Sequence, residues 1–145
     1  MSETTLSSAT DFVTGSCFCG AVQFRVDMPT LFNAHCHCTM CQRVHGAGYV
    51  TWIGVPETQL RVTAGADQLR HFASSEHGQR SFCTVCSSSL FCRSTRHPTR
   101  VDITVANLHG PVDRAPQVHA YFNNRSSWTD VSDRLPTMNE SDGAG

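Results

Sequence analysis

The sequence contains no lysine, and all eleven of its basic residues are arginines. The missing amine excludes Schiff-base chemistry on a lysine side chain. Charged residues make up only 16% of the chain, the formal net charge is −1, and the arginines are scattered without a basic run. Binding of a nucleic-acid backbone requires clustered positive charge, so no nucleic-acid partner is expected.

Long apolar segments are also absent. No stretch approaches the roughly 20 apolar residues of a membrane span, and residues 1–10 have neither the basic start nor the apolar stretch of a secretory signal. We therefore expect a cytoplasmic protein without membrane contact. The 145 residues fit one domain. We predict a flexible lead at residues 1–14, a folded domain at 15–136 and a flexible tail at 137–145, whereas the oligomeric state is not readable.

Strand signals are far more frequent than helix signals. Val22, Phe24 and Val26 alternate with polar residues, which is the period-2 pattern of a half-buried strand. Similar short patterns predict strands at 48–55, around 60–63, and at 69–73, 88–93, 101–106 and 118–122. The one helical candidate is Thr39–His45. Short strands at fairly regular intervals predict a mainly β protein built from small antiparallel sheets.

Cysteine, in contrast, is abundant, with eight residues in the chain. In a reducing cytosol, such a number indicates metal binding rather than disulfides. Seven of the eight fall into three short groups with the spacings C-x-C, C-x-C-x-x-C and C-x-x-C: Cys17 and Cys19; Cys36, Cys38 and Cys41; Cys83 and Cys86. Pairs at these spacings can direct two sulfurs at one ion from a tight turn.

Counting the ligands suggests two different zinc sites. Zinc in a structural site takes about four ligands, and the two pairs together supply four thiolates from Cys17, Cys19, Cys83 and Cys86. The triplet of Cys36, Cys38 and Cys41 is left with an open fourth position, which is typical of a catalytic zinc. The alternative is that His35, His37 or another histidine closes this second shell and makes it structural. A redox role for the C-x-x-C pair is disfavoured, because no thioredoxin-like βαβ pattern surrounds it.

The sequence gives less evidence for the roles of the remaining cysteine, of two histidines and of three aromatic residues. Cys92 shares a predicted strand face with Leu90, so packing in the core is expected. His45 and His77 lie in loop-like segments and are expected to be solvated or packed. The aromatic residues expected in the core or in a pocket wall are Trp52, Tyr121 and Trp128.

The three cysteine groups, in this order, resemble the motifs of the glutathione-dependent formaldehyde-activating (GFA) family, which includes centromere protein V-like domains. The motifs G-x-C-x-C-G, C-H-C-x-x-C-R and R-x-F-C-x-x-C-G correspond to residues 15–20, 36–42 and 80–87. Trp128 and Leu135-Pro136 are similar to the closing segment, so the resemblance covers about residues 13–138. Two positions depart from it: Ser87 replaces a glycine, and Gln42 replaces an arginine, although Arg43 follows.

The resemblance implies a zinc-stapled β-tent of antiparallel sheets with two zinc ions per chain, one of them structural and the other reactive at Cys36, Cys38 and Cys41. It also implies the addition of glutathione to formaldehyde, giving S-hydroxymethylglutathione. We therefore predict a carbon–sulfur lyase or synthase that adds or removes a small aldehyde, or a related group, on a thiol such as glutathione through a zinc-bound thiolate. Arg43 and Arg80 are candidates for holding a glutathione carboxylate.

Three other functions remain open at this point. A zinc-stabilised binding module without chemistry would have both metal shells closed. An enzyme resembling methionine sulfoxide reductase B would need a nucleophilic cysteine outside the metal shells, and Cys92 is the one available. A nucleic-acid zinc ribbon is disfavoured by the scattered arginines.

Overall fold

The computed structural model describes residues 11–139 of the chain, and these residues form two β-sheets. The strands, in chain order, are β1 (Phe12–Ser16), β2 (Gln23–Asp27), β3 (Phe32–Cys36), β4 (Val50–Pro56), β5 (Leu60–Ala64), β6 (Leu69–Ala73), β7 (Gly78–Cys83), β8 (Ser89–Ser94), β9 (Arg100–Thr104) and β10 (Val118–Ala120). Within the described range there is one α-helix, α1 (Thr39–His45). Short 3₁₀ turns occupy Glu57–Gln59, Ala66–Gln68, Val105–Asn107 and Phe122–Asn124.

The smaller sheet has the strand order β1-β2-β5, and the larger one has the order β10-β3-β4-β9-β8-β7-β6. All neighbouring strands are antiparallel except β10 and β3, which are parallel. The prediction of a mainly β protein is therefore confirmed, with one parallel pair in addition to the antiparallel ones. No helix in the described part of the chain is long and apolar enough to cross a membrane.

A shared core joins the two sheets. Alternation along β2 buries Phe24 and Val26, whose exposed fractions are 1% and 0%. The Phe24 ring meets the Phe91 ring of β8 edge to face, with centroids 5.1 Å apart. Burial of such side chains contributes about 1.5–3 kcal/mol each, so this contact fixes the smaller sheet on one side of the larger one.

Helix α1 begins and ends at residues suited to those positions. The Cys38 sulfur, at the N-cap, accepts a hydrogen bond from the Cys41 backbone N–H at 3.3 Å. Gly46 ends the helix with a φ of 63°, and its N–H donates to the Gln42 carbonyl at 2.8 Å. Glycine takes this left-handed conformation without steric cost. Because the cap bond joins residues three apart, it holds two thiol groups on the same side of the first turn.

The parallel pair of β10 and β3 separates two sets of side chains. Successive residues of a strand face opposite sides of the sheet. Ala34 and Cys36 of β3 line a cavity together with Val118 and Ala120 of β10. The intervening residues, His35 and His119, are register partners and therefore lie on the opposite face.

Three strands were not predicted from the sequence, namely β1, β3 and β7. In β7, the side chains of Arg80 and Ser81 are buried although they are polar, with exposed fractions of 3% and 0%. An apolar period-2 pattern is therefore missing, even though the strand lies between β6 and β8. The predicted strand at 101–106 was too long, because it turns into a 3₁₀ segment after Thr104.

Strand pairing extends beyond the predicted domain limits of 15 and 136. β1 begins at Phe12, and an isolated bridge pairs His119 with Thr137. The predicted flexible lead and tail otherwise fall largely on residues 1–10 and 140–145, which lie outside the described residues.

Candidate metal centres and active site

The first cysteine cluster joins the turns that follow β1 and β7. Its sulfurs, from Cys17, Cys19, Cys83 and Cys86, all lie within 4.8 Å of one another. The Cys17–Cys19 and Cys19–Cys83 sulfur distances are 3.6 Å and 4.0 Å. Four sulfurs at about 2.3 Å from a tetrahedral ion would lie about 3.8 Å apart, so the spacing fits a metal of that kind.

Backbone donors support the sulfurs of this cluster. The N–H of Val22 donates to Cys17 Sγ, and the N–H of Val85 donates to Cys83 Sγ, both at 3.3 Å. Donors of this kind favour the thiolate over the thiol, and the thiolate is the form that binds metal. The cluster could therefore hold a metal ion between the two turns.

The second cluster is formed by Cys36 at the end of β3, Cys38 at the N-cap of α1 and Cys41 in its first turn. The three sulfurs lie within 4.8 Å of one another, and no histidine, aspartate or glutamate in the described range joins them. A hydrogen bond from Cys36 lowers the pKa of Cys38 to about 2, and the same interaction raises the pKa of Cys36. Without a cation the cluster therefore stabilises one thiolate and opposes a second. A bound cation removes that conflict.

A pocket of about 290 Å³ opens directly onto the second cluster. Its wall is mostly aromatic and aliphatic, with four polar groups among the lining side chains. Besides the three cysteines of the second cluster, the lining includes the thiol of Cys92. The apolar lining is Phe32, Ala34, Trp52, Val118, Ala120, Tyr121 and Met138, and the polar lining is Arg80, His97, Arg100 and Asp102. Arg100 Nε donates to Asp102 Oδ1 at 3.0 Å, while burial raises the pKa of Asp102 to about 6 despite that partner.

Arg80 is the buried cation of this pocket, with only 3% of the residue exposed. Its Nη2 lies 3.6 Å from Cys41 Sγ, whereas Nε and Nη1 have no hydrogen-bond partner among the described residues. Burial is the largest single influence and lowers the pKa of Arg80, but the neighbouring sulfurs of Cys41, Cys92 and Cys38 together outweigh it and the net shift is upward. Arg80 is therefore a fixed positive charge beside the thiols, with N–H donors still to be satisfied.

Comparison with known proteins points to one family. The family model for glutathione-dependent formaldehyde-activating enzymes, GFA, matches residues 12–124. The chain belongs to the GFA family. A Halomonas elongata protein named "Putative glutathione-dependent formaldehyde-activating enzyme" is 28% identical over 127 residues, covering 83% of this chain and 81% of that protein. A crystal structure of a Rhodobacter sphaeroides protein, solved as a structural genomics target, matches with a TM-score of 0.59 and 25% identity, covering 70% of this chain and 92% of that one.

The two departures from the GFA motifs now have positions in the fold. Ser87 has a φ of 70°, in the left-handed region that glycine takes at lower cost. Gln42 donates through Nε2 to the carbonyls of His37 and Asn124, at 2.7 Å and 2.9 Å. It therefore ties α1 to the C-terminal segment. Arg43 is exposed on α1 and does not line the pocket, in contrast to Arg80.

A histidine network, which the sequence did not reveal, lies on the other face of the sheet. His119 links His37 to Asp133: Nδ1 lies 2.8 Å from His37 Nε2, and Nε2 lies 3.0 Å from the Asp133 carboxylate. His35 bonds through Nδ1 to Thr51 Oγ1 at 2.8 Å. His35 and His37 thus have partners away from the thiols. The possibility that a neighbouring histidine completes the three-cysteine shell gains no support from this arrangement.

The structure also shows where the other cysteine, histidine and aromatic candidates lie. Cys92 lines the pocket but is only 8% exposed, and burial raises its pKa to about 12, which opposes a nucleophilic role. His45 stacks edge to face on Trp52 with centroids 5.5 Å apart, and burial lowers its pKa to about 4. His77 bonds to Thr95 at the surface. Trp52 and Tyr121 line the pocket, whereas Trp128 is 73% exposed, so its expected core or pocket position was wrong.

Proposed function

We propose that this GFA-family chain is a zinc-dependent carbon–sulfur lyase that adds a thiol to a small aldehyde and catalyses the reverse reaction. The observation that carries the proposal is the difference between the two clusters. One gathers four sulfurs, whereas the other gathers three and faces a cavity. Three protein ligands beside an open position are typical of catalytic zinc, and four are typical of structural zinc.

In this proposal, Cys17, Cys19, Cys83 and Cys86 hold the structural zinc, and Cys36, Cys38 and Cys41 hold the reactive one. The donor set supports zinc because thiolates are soft ligands that favour it over calcium or magnesium. Held by these three cysteines, a zinc ion would supply positive charge that favours the thiolate form of an incoming thiol near neutral pH. Three thiolates leave such a centre with a net charge of −1, which favours activation of a thiol over activation of water.

The residues of the chain supply orientation and charge. Arg80, which lines the pocket beside the thiols, would offset the negative charge that develops on the aldehyde oxygen as the sulfur attacks the carbon. Trp52 and Tyr121 exclude water from the same space, which strengthens that interaction. Arg43 lies outside the pocket and could contact a glutathione carboxylate there. Glutathione and formaldehyde remain the substrates that the family name suggests.

Substitution of one sulfur tests the proposal. Cys38→Ser is expected to abolish thiol-dependent turnover and to leave a folded protein with one zinc by native mass spectrometry. Cys92→Ser is the matched control for metal content, because Cys92 belongs to neither cluster, and it should keep two zinc ions. Turnover that persists in Cys38→Ser would contradict the proposal.

The alternatives gain less support. A methionine sulfoxide reductase B-like reaction needs a reactive thiol outside the clusters, and burial of Cys92 opposes that role. A binding module with two closed metal shells is disfavoured by the cavity beside the three-cysteine cluster. Two zinc ions that resist chelation equally would favour the binding module instead.

A further inference from the structure

The shape and lining of the pocket carry information about the aldehyde. We propose that its electrophile is an uncharged aldehyde with an aromatic or branched aliphatic body, and not formaldehyde. This inference rests on the proposed function, since it concerns the substrate of the same site.

The volume is far larger than formaldehyde needs. The pocket measures about 290 Å³, whereas a water molecule takes up about 30 Å³ of liquid. Formaldehyde has two heavy atoms and would leave most of the space to water or unfilled. An aldehyde with a ring or a branched chain would occupy the pocket and displace that water.

The lining matches an apolar body. Phe32, Trp52 and Tyr121 offer aromatic surface, and Ala34, Val118 and Ala120 leave room between them. Apolar surface removed from water contributes about 25 cal/mol per Å². Peptide groups and carboxylates, as in glutathione, would instead have to give up hydration against these walls. The body of a polar thiol therefore belongs at the mouth and not inside the pocket.

The charges of the pocket are already balanced. Arg100 is paired with Asp102 at 3.0 Å, and Arg80 lies against the Cys41 sulfur at 3.6 Å. A carboxylate on the aldehyde would add an unbalanced buried charge. An aldehyde oxygen, by contrast, is neutral on entry and gains charge only during addition. The positive charge of Arg80, which lines the pocket beside the thiols, then offsets the charge on that oxygen.

The chemical step needs no oxidant or reductant. The thiol, a small neutral one in the test below, gives its proton to water, and its sulfur forms a bond with the carbonyl carbon. The π electrons of the C=O bond move to the oxygen, which takes one proton back from water, so no net proton is gained or lost. The product is a hemithioacetal, and the reverse reaction breaks the same C–S bond.

The zinc-loaded protein can be tested with 2-mercaptoethanol and either phenylacetaldehyde or formaldehyde, with exchange rates measured by NMR. We expect kcat/KM to be at least about ten-fold higher for phenylacetaldehyde. Ala120→Leu, which narrows the pocket, should reduce that preference about ten-fold. Ala73→Leu, at an exposed position on β6, is the matched control and should keep it. Catalysis that favours formaldehyde would overturn the inference and leave the proposed function standing.

Binding of 2-phenylethanol, which cannot react, distinguishes the proposed activity from the proposal that the pocket binds an apolar body. If neither aldehyde is turned over, the proposed function fails. Calorimetric binding of this alcohol that is weakened about ten-fold by Ala120→Leu, but not by Ala73→Leu, would still support an apolar occupant. Absence of binding, or binding that both variants leave unchanged, would overturn the inference.

Discussion

His37 and His119 are hydrogen-bonded to each other across 2.8 Å, and both imidazoles are buried, with exposed fractions of 0% and 1%. The pair lies behind the three-cysteine cluster, since His37 is placed between two of its cysteines in the chain. Asp133 accepts from the second nitrogen of His119. The network therefore fixes the segment that carries the thiols against the C-terminal part of the chain.

Removal of His119 should be costly. His119→Ala leaves His37 without its partner and creates a cavity, so the free energy of unfolding should fall by about 2–4 kcal/mol. Asp133→Asn keeps an acceptor and lies at the surface, so it should lower the free energy of unfolding much less than His119→Ala does. Urea unfolding followed by tryptophan fluorescence measures both. Equal effects of the two substitutions would contradict this account of the network.

Arg80 and Arg43 should differ in their effects on turnover. Arg80→Gln removes the buried donors and should lower kcat/KM by about 10²-fold, as loss of a transition-state donor does. Arg43→Gln should change only the KM for glutathione, because Arg43 lies outside the pocket. Steady-state kinetics with zinc content verified for each variant distinguishes the two. A larger loss of kcat/KM for Arg43→Gln than for Arg80→Gln would contradict the assignment of Arg80 to the reacting atoms.

Asp102 should make stability depend on pH. Its folded-state pKa is raised to about 6 by burial, so its protonated form favours folding at low pH and this contribution is lost as pH rises through about 6. Asp102→Asn cannot ionise. The free energy of unfolding of Asp102→Asn minus that of the wild type should therefore rise by up to about 3 kcal/mol between pH 4 and 7. This estimate takes about 1.4 kcal/mol for each unit by which the pKa is shifted.

Unfolding curves of the wild type and Asp102→Asn at several pH values test this dependence. Comparison of two proteins at each pH cancels any shared loss of metal in acid. Asp67→Asn, at an exposed position, is the control. Its free energy of unfolding should differ from that of the wild type by the same amount at every pH. A difference that is also constant for Asp102→Asn would show that this carboxyl titrates normally.

Ser87 has a left-handed backbone conformation that destabilises a serine more than a glycine. With a φ of 70°, Ser87→Gly should raise the free energy of unfolding by up to about 1 kcal/mol. Ser87→Ala keeps the β-carbon and should give no such gain. Thermal unfolding of the zinc-loaded variants measures the difference, and a gain for both substitutions would place its origin in the loss of the hydroxyl.

The two metal clusters should respond differently to chelation. Native mass spectrometry should find two zinc ions per chain, with the one at the three-cysteine cluster lost first under mild chelation because its shell has an open position. Loss of the second ion should coincide with loss of thermal stability, since the four-cysteine cluster joins distant turns. A single zinc per chain would remove the main support for the reactive site.

Local sequence patterns predicted much of this fold. Helix α1 was predicted with its observed limits, and the structure shows that a thiol N-cap and a glycine C-cap flank it. The grouping of seven cysteines into four and three followed from ligand counting and agrees with the clusters. The spacing alone could not show that His119 meets His37 and Asp133, since His37 is distant in the chain and the parallel pairing of β10 with β3 brings His119 to its segment.

The predictions for the two arginines show a similar limit. Both were near cysteine motifs in the sequence, but only the strand β7 directs its arginine inward, whereas α1 places Arg43 on its exposed side. Strand β7 itself was missed because its buried residues include polar ones. Polar burial of this kind is decided by partners elsewhere in the chain, which a local pattern does not contain.

The wall formed by β10 has a consequence for the order of events during synthesis. The thiols of Cys36, Cys38 and Cys41 leave the ribosome long before Val118 and Ala120, which complete their cavity. A nascent chain therefore carries an uncovered group of three sulfurs until the β10 segment has been synthesised. Early capture of metal would protect these sulfurs from oxidation during that interval, so metal supply during translation should govern the yield of intact protein.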